Sequence, residues 1–290
     1  MKLIAYIIFT TISLFLTHAQ EVEIMALSKK FQNLATSLPK SQVLDTTILV
    51  VHYQISYPID NSQGKFQQTN DLLCCQIGKT ICKTFSQNLY LLDCNKTFHE
   101  KNKVKFRLDY IPYTTFVNYP ERSITEENRI PYSPLLQGSL QVVTYTEPIP
   151  CIEWQLSEKV DSIAGFYCIN AQCMFRGRKW EVWYTPEIPT TFNVWKFLGL
   201  PGLILKASDT TGEYTFEALD IKKEKKIIEK FDWKPTIMTR SEWRKLEEDM
   251  YKHPSDYFLQ NGKLSALDIR NGQVNPSEEW NVLYNPIEKE

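Results

Sequence analysis

From Thr46 onward the apolar positions recur every second residue. Leu49, Val51, Tyr53, Ile55 and Tyr57 fall on one side of an extended chain, and Ile48, Val50, His52, Gln54 and Ser56 on the other. Leu72 to Ile77 and Ile81 to Phe85 flank Gly78-Lys79, which predicts a hairpin. Phe166 to Phe175 and Lys179 to Tyr184 flank Arg176-Gly177 in the same way, and Leu203 to Ala207 and Glu213 to Ile221 flank Asp209-Thr210-Thr211-Gly212. Val104, Phe106, Leu108 and Tyr110 alternate with Lys105, Arg107 and Asp109, a strand with one wet face, and Leu140 to Tyr145 reads as another strand. The polar stretch 118–134, punctuated by Pro120, Pro131 and Pro134, reads as a loop. Short strands joined by tight turns predict a mainly β chain (β-rich α+β), built as an antiparallel sheet or partial barrel. No helices alternate with the strands, which argues against a parallel sheet.

Both ends change period. Ile24, Leu27, Phe31 and Leu34 stand at helical spacing across 21–38, before Pro39. Near the other end Thr239-Arg240-Ser241-Glu242 is a capping box. Behind it Trp243, Leu246 and Met250 share a helix face, and Pro254 follows as a stop. An N-terminal and a C-terminal helix are therefore expected to flank the strands. Ahead of them Lys2, the apolar run Leu3 to Leu16 and Thr17-His18-Ala19 have the order of a secretory signal, cleaved before Gln20. The run is short of the ~20 apolar residues of a membrane span. The expected partition is a signal peptide over 1–19, an N-terminal helical segment over 20–45, and one β-rich domain with a helical tail over 46–290. Export to the periplasm, cell envelope or extracellular space follows.

Charge and composition then exclude function classes. The 290 residues carry 33 Lys and Arg against 34 Asp and Glu, a net charge of −1, without the basic excess of a nucleic-acid binder. Mean hydropathy of −0.33 excludes a polytopic helical membrane protein. The seven cysteines are disulfide candidates in an oxidising compartment, with at least one left over. Cys74 and Cys75 are adjacent and would face opposite sides of a strand. No C-x-x-C occurs and His52, His99 and His253 are scattered, so no metal site is assigned.

The chemistry in the pattern is that of binding. No G-x-S-x-G, H-E-x-x-H or P-loop motif occurs. Glu147, Glu153, Asp161, Glu181 and Glu187 are the acid/base candidates, but the wet face of any antiparallel sheet carries such residues. No catalytic residue and no cofactor are assigned. Trp180, Trp183, Tyr184, Trp195 and Phe197 are dense enough to suggest an apolar groove. Arg176 and Arg178, two apart, would share a face and could clamp a carboxylate or phosphate. Between these groups, Pro201 suits position i+1 of a type II turn with Gly202 at positive φ, while Gly199 allows another backbone close.

The stretch Gly199-Leu200-Pro201-Gly202-Leu203-Ile204 resembles the GLPGLI family. Gly165-Phe166-Tyr167-Cys168, Phe175-Arg176-Gly177-Arg178-Lys179-Trp180 and Trp183-Tyr184-Thr185-Pro186-Glu187-Ile188-Pro189 extend the resemblance, which covers roughly residues 46–250. Asn193-Val194 departs from it, where a Gly-Pro pair would be expected before the aromatic. The resemblance implies an exported protein of the Bacteroidota envelope and no established activity. The Trp183 to Pro186 segment also looks like those of carriers that hold acyl chains in a half-barrel. The expected function is non-catalytic binding or carriage of an apolar or amphipathic ligand. The alternatives are an accessory partner of an outer-membrane β-barrel protein and an envelope hydrolase.

Overall fold

The computed structural model describes residues 40–60, 65–94, 110–130, 142–252 and 283–290. The signal peptide, the N-terminal helix, the strand expected over 104–109 and the stop at Pro254 lie outside the described residues. The chain divides into two compact units, Met1–Pro39 with Leu91–Asn102, and Lys40–Tyr90 with Lys103–Glu290. The second is the β domain.

Its strands are β1 (Ser41–Thr46), β2 (Leu49–Asp60), β3 (Phe66–Ile77), β4 (Ile81–Ser86), β5 (Tyr113–Asn118), β6 (Ser123–Arg129), β7 (Val142–Pro148), β8 (Gln155–Ile163), β9 (Phe166–Phe175), β10 (Arg178–Thr185), β11 (Leu203–Asp209), β12 (Thr215–Lys222), β13 (Ile227–Phe231) and β14 (Thr236–Ile237). The helices are α1 (Gln87–Cys94) and α2 (Arg240–Lys252). Twelve strands form one sheet in the order β14-β7-β6-β5-β4-β3-β2-β12-β11-β10-β9-β8, and β1 pairs with β13 in a second. Every pairing is antiparallel except that of β14 with β7. The fold is mainly β, as the period of two requires.

The face of β2 picked out by the alternation is the buried one, and Leu49, Val51, Tyr53, Ile55 and Tyr57 all enter the main core. That core also takes Cys75 and Ile77 from β3, Val117 from β5, Ile124 from β6, and Trp180 and Val182 from β10. Strands far apart in the sheet order thus share one apolar interior, and the sheet coils around it. Cys74 packs with Val50 and Phe85 in a separate cluster, on the opposite face from Cys75. The second sheet is tied on by Lys83 of β4, whose Nζ donates to Glu229 O at 2.7 Å. The ammonium stands 4.7 Å from the Phe85 ring centre and 5.5 Å from that of Phe231.

Three expectations change. Residues 123–129 are strand β6, not loop: they pair with β5 and β7, and the buried Glu126 and Glu127 meet Lys196 and Lys230 from outside the strand. β1 extends the strands back to Ser41, into the segment expected to be helical. No disulfide forms among the six described cysteines. The nearest approach is Cys75 Sγ to Cys82 Sγ, at 3.6 Å.

The three hairpins stand where the turn residues put them. Arg176 and Gly177 have φ of 54° and 73°, the two left-handed residues of a tight turn whose twist matches its strands. At the C-terminal helix, Glu242 N donates to Thr239 Oγ1 at 3.2 Å and Thr239 N to Glu242 Oε2 at 2.7 Å, closing the capping box. The α2 face carries Trp243 and Met250 into a second cluster with Ile130, Val143 and Tyr145.

Candidate functional site

The aromatic residues expected to line a groove are core. The loop between β10 and β11 turns inward, so that Trp195 and Phe197 meet Trp180, Phe175 and Phe216 with ring centres 5.0 to 6.4 Å apart. Trp180, Trp195 and Phe197 are fully buried, Tyr184 nearly so, and Trp183 is half-buried. These rings pack in the main apolar core, with Trp183 partly buried against it.

The turn glycines exchange roles. Gly199 has the positive φ, 92°, and Gly202 has not. At Gly202 a Cβ would lie 2.1 Å from Thr185 O, so this glycine is fixed by the close approach of β10. Asn193 replaces a strand partner here. Its Oδ1 accepts from Ile204 N at 2.6 Å and its Nδ2 donates to Gly202 O at 3.3 Å.

Arg176 and Arg178 do bind carboxylates, but the protein's own. Arg178 donates to Asp209 Oδ2 at 2.6 Å and Glu213 Oε2 at 2.7 Å. The same guanidinium donates to Ile287 O, Asn285 Oδ1 and Pro286 O at 3.0, 2.7 and 2.6 Å, which clamps residues 285–287 to the β11–β12 turn. Arg176 pairs with Glu147 at 2.5 Å.

Lys196, in the same inward loop, has no solvent exposure and meets three carboxylates: Glu126 at 2.9 Å, Glu147 at 3.1 Å and Glu288 at 2.6 Å. Arg240 adds two bonds to Glu288. Three cations therefore face three anions, a neutral buried cluster. Burial alone would lower the Lys196 pKa, but Glu126, Glu288 and Glu147 outweigh it and hold it above the ordinary lysine value. Burial would likewise raise Glu288, and Lys196, Arg240 and Arg176 instead hold it at about 2. Among the remaining acid/base candidates, Glu181 on β10 accepts from Asn170 Nδ2, and Glu187, in the turn after β10, accepts from Tyr167 N.

Beside this cluster lies a cavity of about 100 Å³ that the sequence does not advertise. Seven tyrosines and Trp243 line it, brought together from β2, β5 and the residues just before it, β7, the β11–β12 turn, α2 and the segment 283–290. Asp71 positions one wall, accepting from Ile111 N at 2.8 Å. Ile59, Ile111, Pro112, Leu283 and Pro286 supply apolar surface. Tyr145 donates to Glu126 Oε1 at 2.9 Å, Tyr214 to Asn285 O at 2.7 Å and Tyr284 to Glu247 Oε2 at 2.9 Å.

Polar capacity is left over. Asn128 is 2% exposed, yet its Nδ2 has no hydrogen-bond partner among the described residues, and neither do Tyr113 Oη and Arg244 Nε. All three residues line the cavity. Burial pushes Glu247 up to about 7, although Arg244 and the Tyr284 hydroxyl pull the other way. Isolated buried polar atoms of this kind are costly, and here three of them belong to residues that line one cavity.

No family model matches the chain, and no curated relative does. Two crystal structures of PNGF-II, in space groups P21 and C2, overlap 72% of this chain, with TM-scores of 0.45 and 0.44 and identities of 15% and 16%. The chain spans about a third of the PNGF-II chain, 34%. No helix among the described residues is long and apolar enough to cross a membrane.

Proposed function

We propose that this chain is an exported, non-catalytic binding protein of GLPGLI type, and that it takes a small amphipathic molecule, or one end of a larger one, in the tyrosine-lined cavity. The observation that carries this is the unpartnered Asn128 Nδ2, buried at a cavity whose walls are mainly aromatic and aliphatic, with a few charged side chains among them. Apolar walls with a few polar groups that fix orientation are the usual make-up of a small-molecule site. The size bounds the guest: a cavity of roughly 150 Å³ holds benzene, so about 100 Å³ excludes a whole acyl chain. The export part rests on the Lys2 to Ala19 pattern and the family part on residues 199–204.

The test is saturation-transfer NMR against a panel of amphipathic fragments of about four to seven heavy atoms, repeated on Asn128→Leu. Binding by the parent that weakens at least about tenfold in the variant, with an unchanged melting temperature, supports the reading. Fragments that bind parent and variant alike contradict it.

A further inference from the structure

Resting on that reading of the cavity, we infer that its guest carries a small organic ammonium group beside a hydroxyl or carbonyl oxygen.

The cavity wall holds four carboxylates, Asp60, Glu126, Glu247 and Glu288, against one cation, Arg244, already paired with Glu247. The charges that neutralise Glu126 and Glu288 come from Lys196, Arg176 and Arg240, none of which lines the cavity. Seen from inside, anions and aromatic rings are near and the compensating cations lie behind them. Such a surround favours a cation, because ring faces carry negative charge in their quadrupole and the field is not screened by bulk water. The phenols agree. Tyr214 and Tyr284 spend their protons on Asn285 O and Glu247, which leaves their oxygens as acceptors toward a guest's N–H groups. The unpartnered Asn128 Nδ2 asks for the opposite partner, an acceptor oxygen on the same small molecule. An alkanolammonium ion satisfies both, and its few heavy atoms fit the volume.

Calorimetric titration of the full chain at pH 8 with ethanolammonium chloride, 1-propanol and sodium glycolate separates the terms. Ethanolammonium and 1-propanol share a shape and differ in charge, whereas glycolate reverses the charge. Ethanolammonium is expected to bind at least about tenfold more tightly than either, and Glu247→Gln to remove that preference without changing the 1-propanol affinity. Equal or tighter binding of 1-propanol or glycolate overturns the ammonium assignment and leaves the cavity reading standing. Failure of all three, together with failure of the neutral fragment panel, overturns both. A melting temperature for Glu247→Gln at or above that of the parent at pH 8 shows that the comparison is made on folded protein.

Discussion

Lys196 Nζ lies 2.6 Å from Glu288 Oε1, and neither side chain has more than 5% of its surface exposed. This one bond joins the inward loop between β10 and β11 to the segment 283–290, 92 residues apart in the chain. Lys196→Met should destabilise the domain by about 3–5 kcal/mol, because it strands three buried carboxylates without their shared cation. Urea titration at pH 7 measures this, and a change under 1 kcal/mol would show the cluster to be solvated.

The pH dependence has two arms of opposite sign. The folded pKa of Glu288 is held at about 2, below its ordinary 4.5, so its contribution is complete above pH 4.5 and is lost as pH falls toward 2. That arm is worth about 3 kcal/mol at 1.36 kcal/mol per pH unit. The folded pKa of Glu247 is raised to about 7, so its contribution is complete below pH 4.5 and is lost as pH rises through 7. Thermal melts should therefore be highest near pH 4.5–5. Glu247→Gln should flatten the decline between pH 5 and 8 and leave the acid arm alone. An unchanged alkaline slope in that variant would contradict the assignment.

Much of the fold is legible in the sequence, because strands whose buried face is apolar announce themselves. β2 and the three hairpins are of this kind. β6 is not. Its Glu126, Glu127 and Asn128 are buried polar residues, and the partners of the two glutamates, Lys196 and Lys230, sit far along the chain. The candidate site is hidden for a related reason. Tyr57, Tyr113, Tyr145, Tyr214, Tyr251 and Tyr284 converge only through the sheet order, whereas the local density from Trp180 to Phe197 is what a tightly packed interior requires.

The exchanged roles of the two glycines are open to measurement. Gly202→Ala sets a Cβ against the Thr185 backbone, which cannot yield as a side chain would, and should cost toward the upper end of ~1–3 kcal/mol. Gly212, at φ 71° with open space around it, should tolerate Asn at little cost, since Asn visits the left-handed region. Urea midpoints of the two variants should rank in that order, and the reverse order would contradict the close approach at β10.

Trp195 and Trp183 should also part company. Trp195→Ala removes the centre of the ring cluster and should cost about 3–5 kcal/mol, with loss of accumulation in the cell. Trp183 is half-buried on β10 and its truncation should cost clearly less. Guanidinium melts followed by circular dichroism separate the two, and a costlier Trp183→Ala would misplace the core.

The central claim is that a guest sits among the tyrosines and not along the Trp183 to Phe197 segment. The most direct measurement is a titration of protein carrying ¹³C-labelled tyrosine and ¹⁵N-labelled tryptophan with a fragment that binds, the tyrosine signals being assigned by single Tyr→Phe changes. The account predicts shifts at Tyr113, Tyr214, Tyr251 and Tyr284 with the Trp183 indole signal unmoved. A moving Trp183 signal with stationary tyrosines would contradict it.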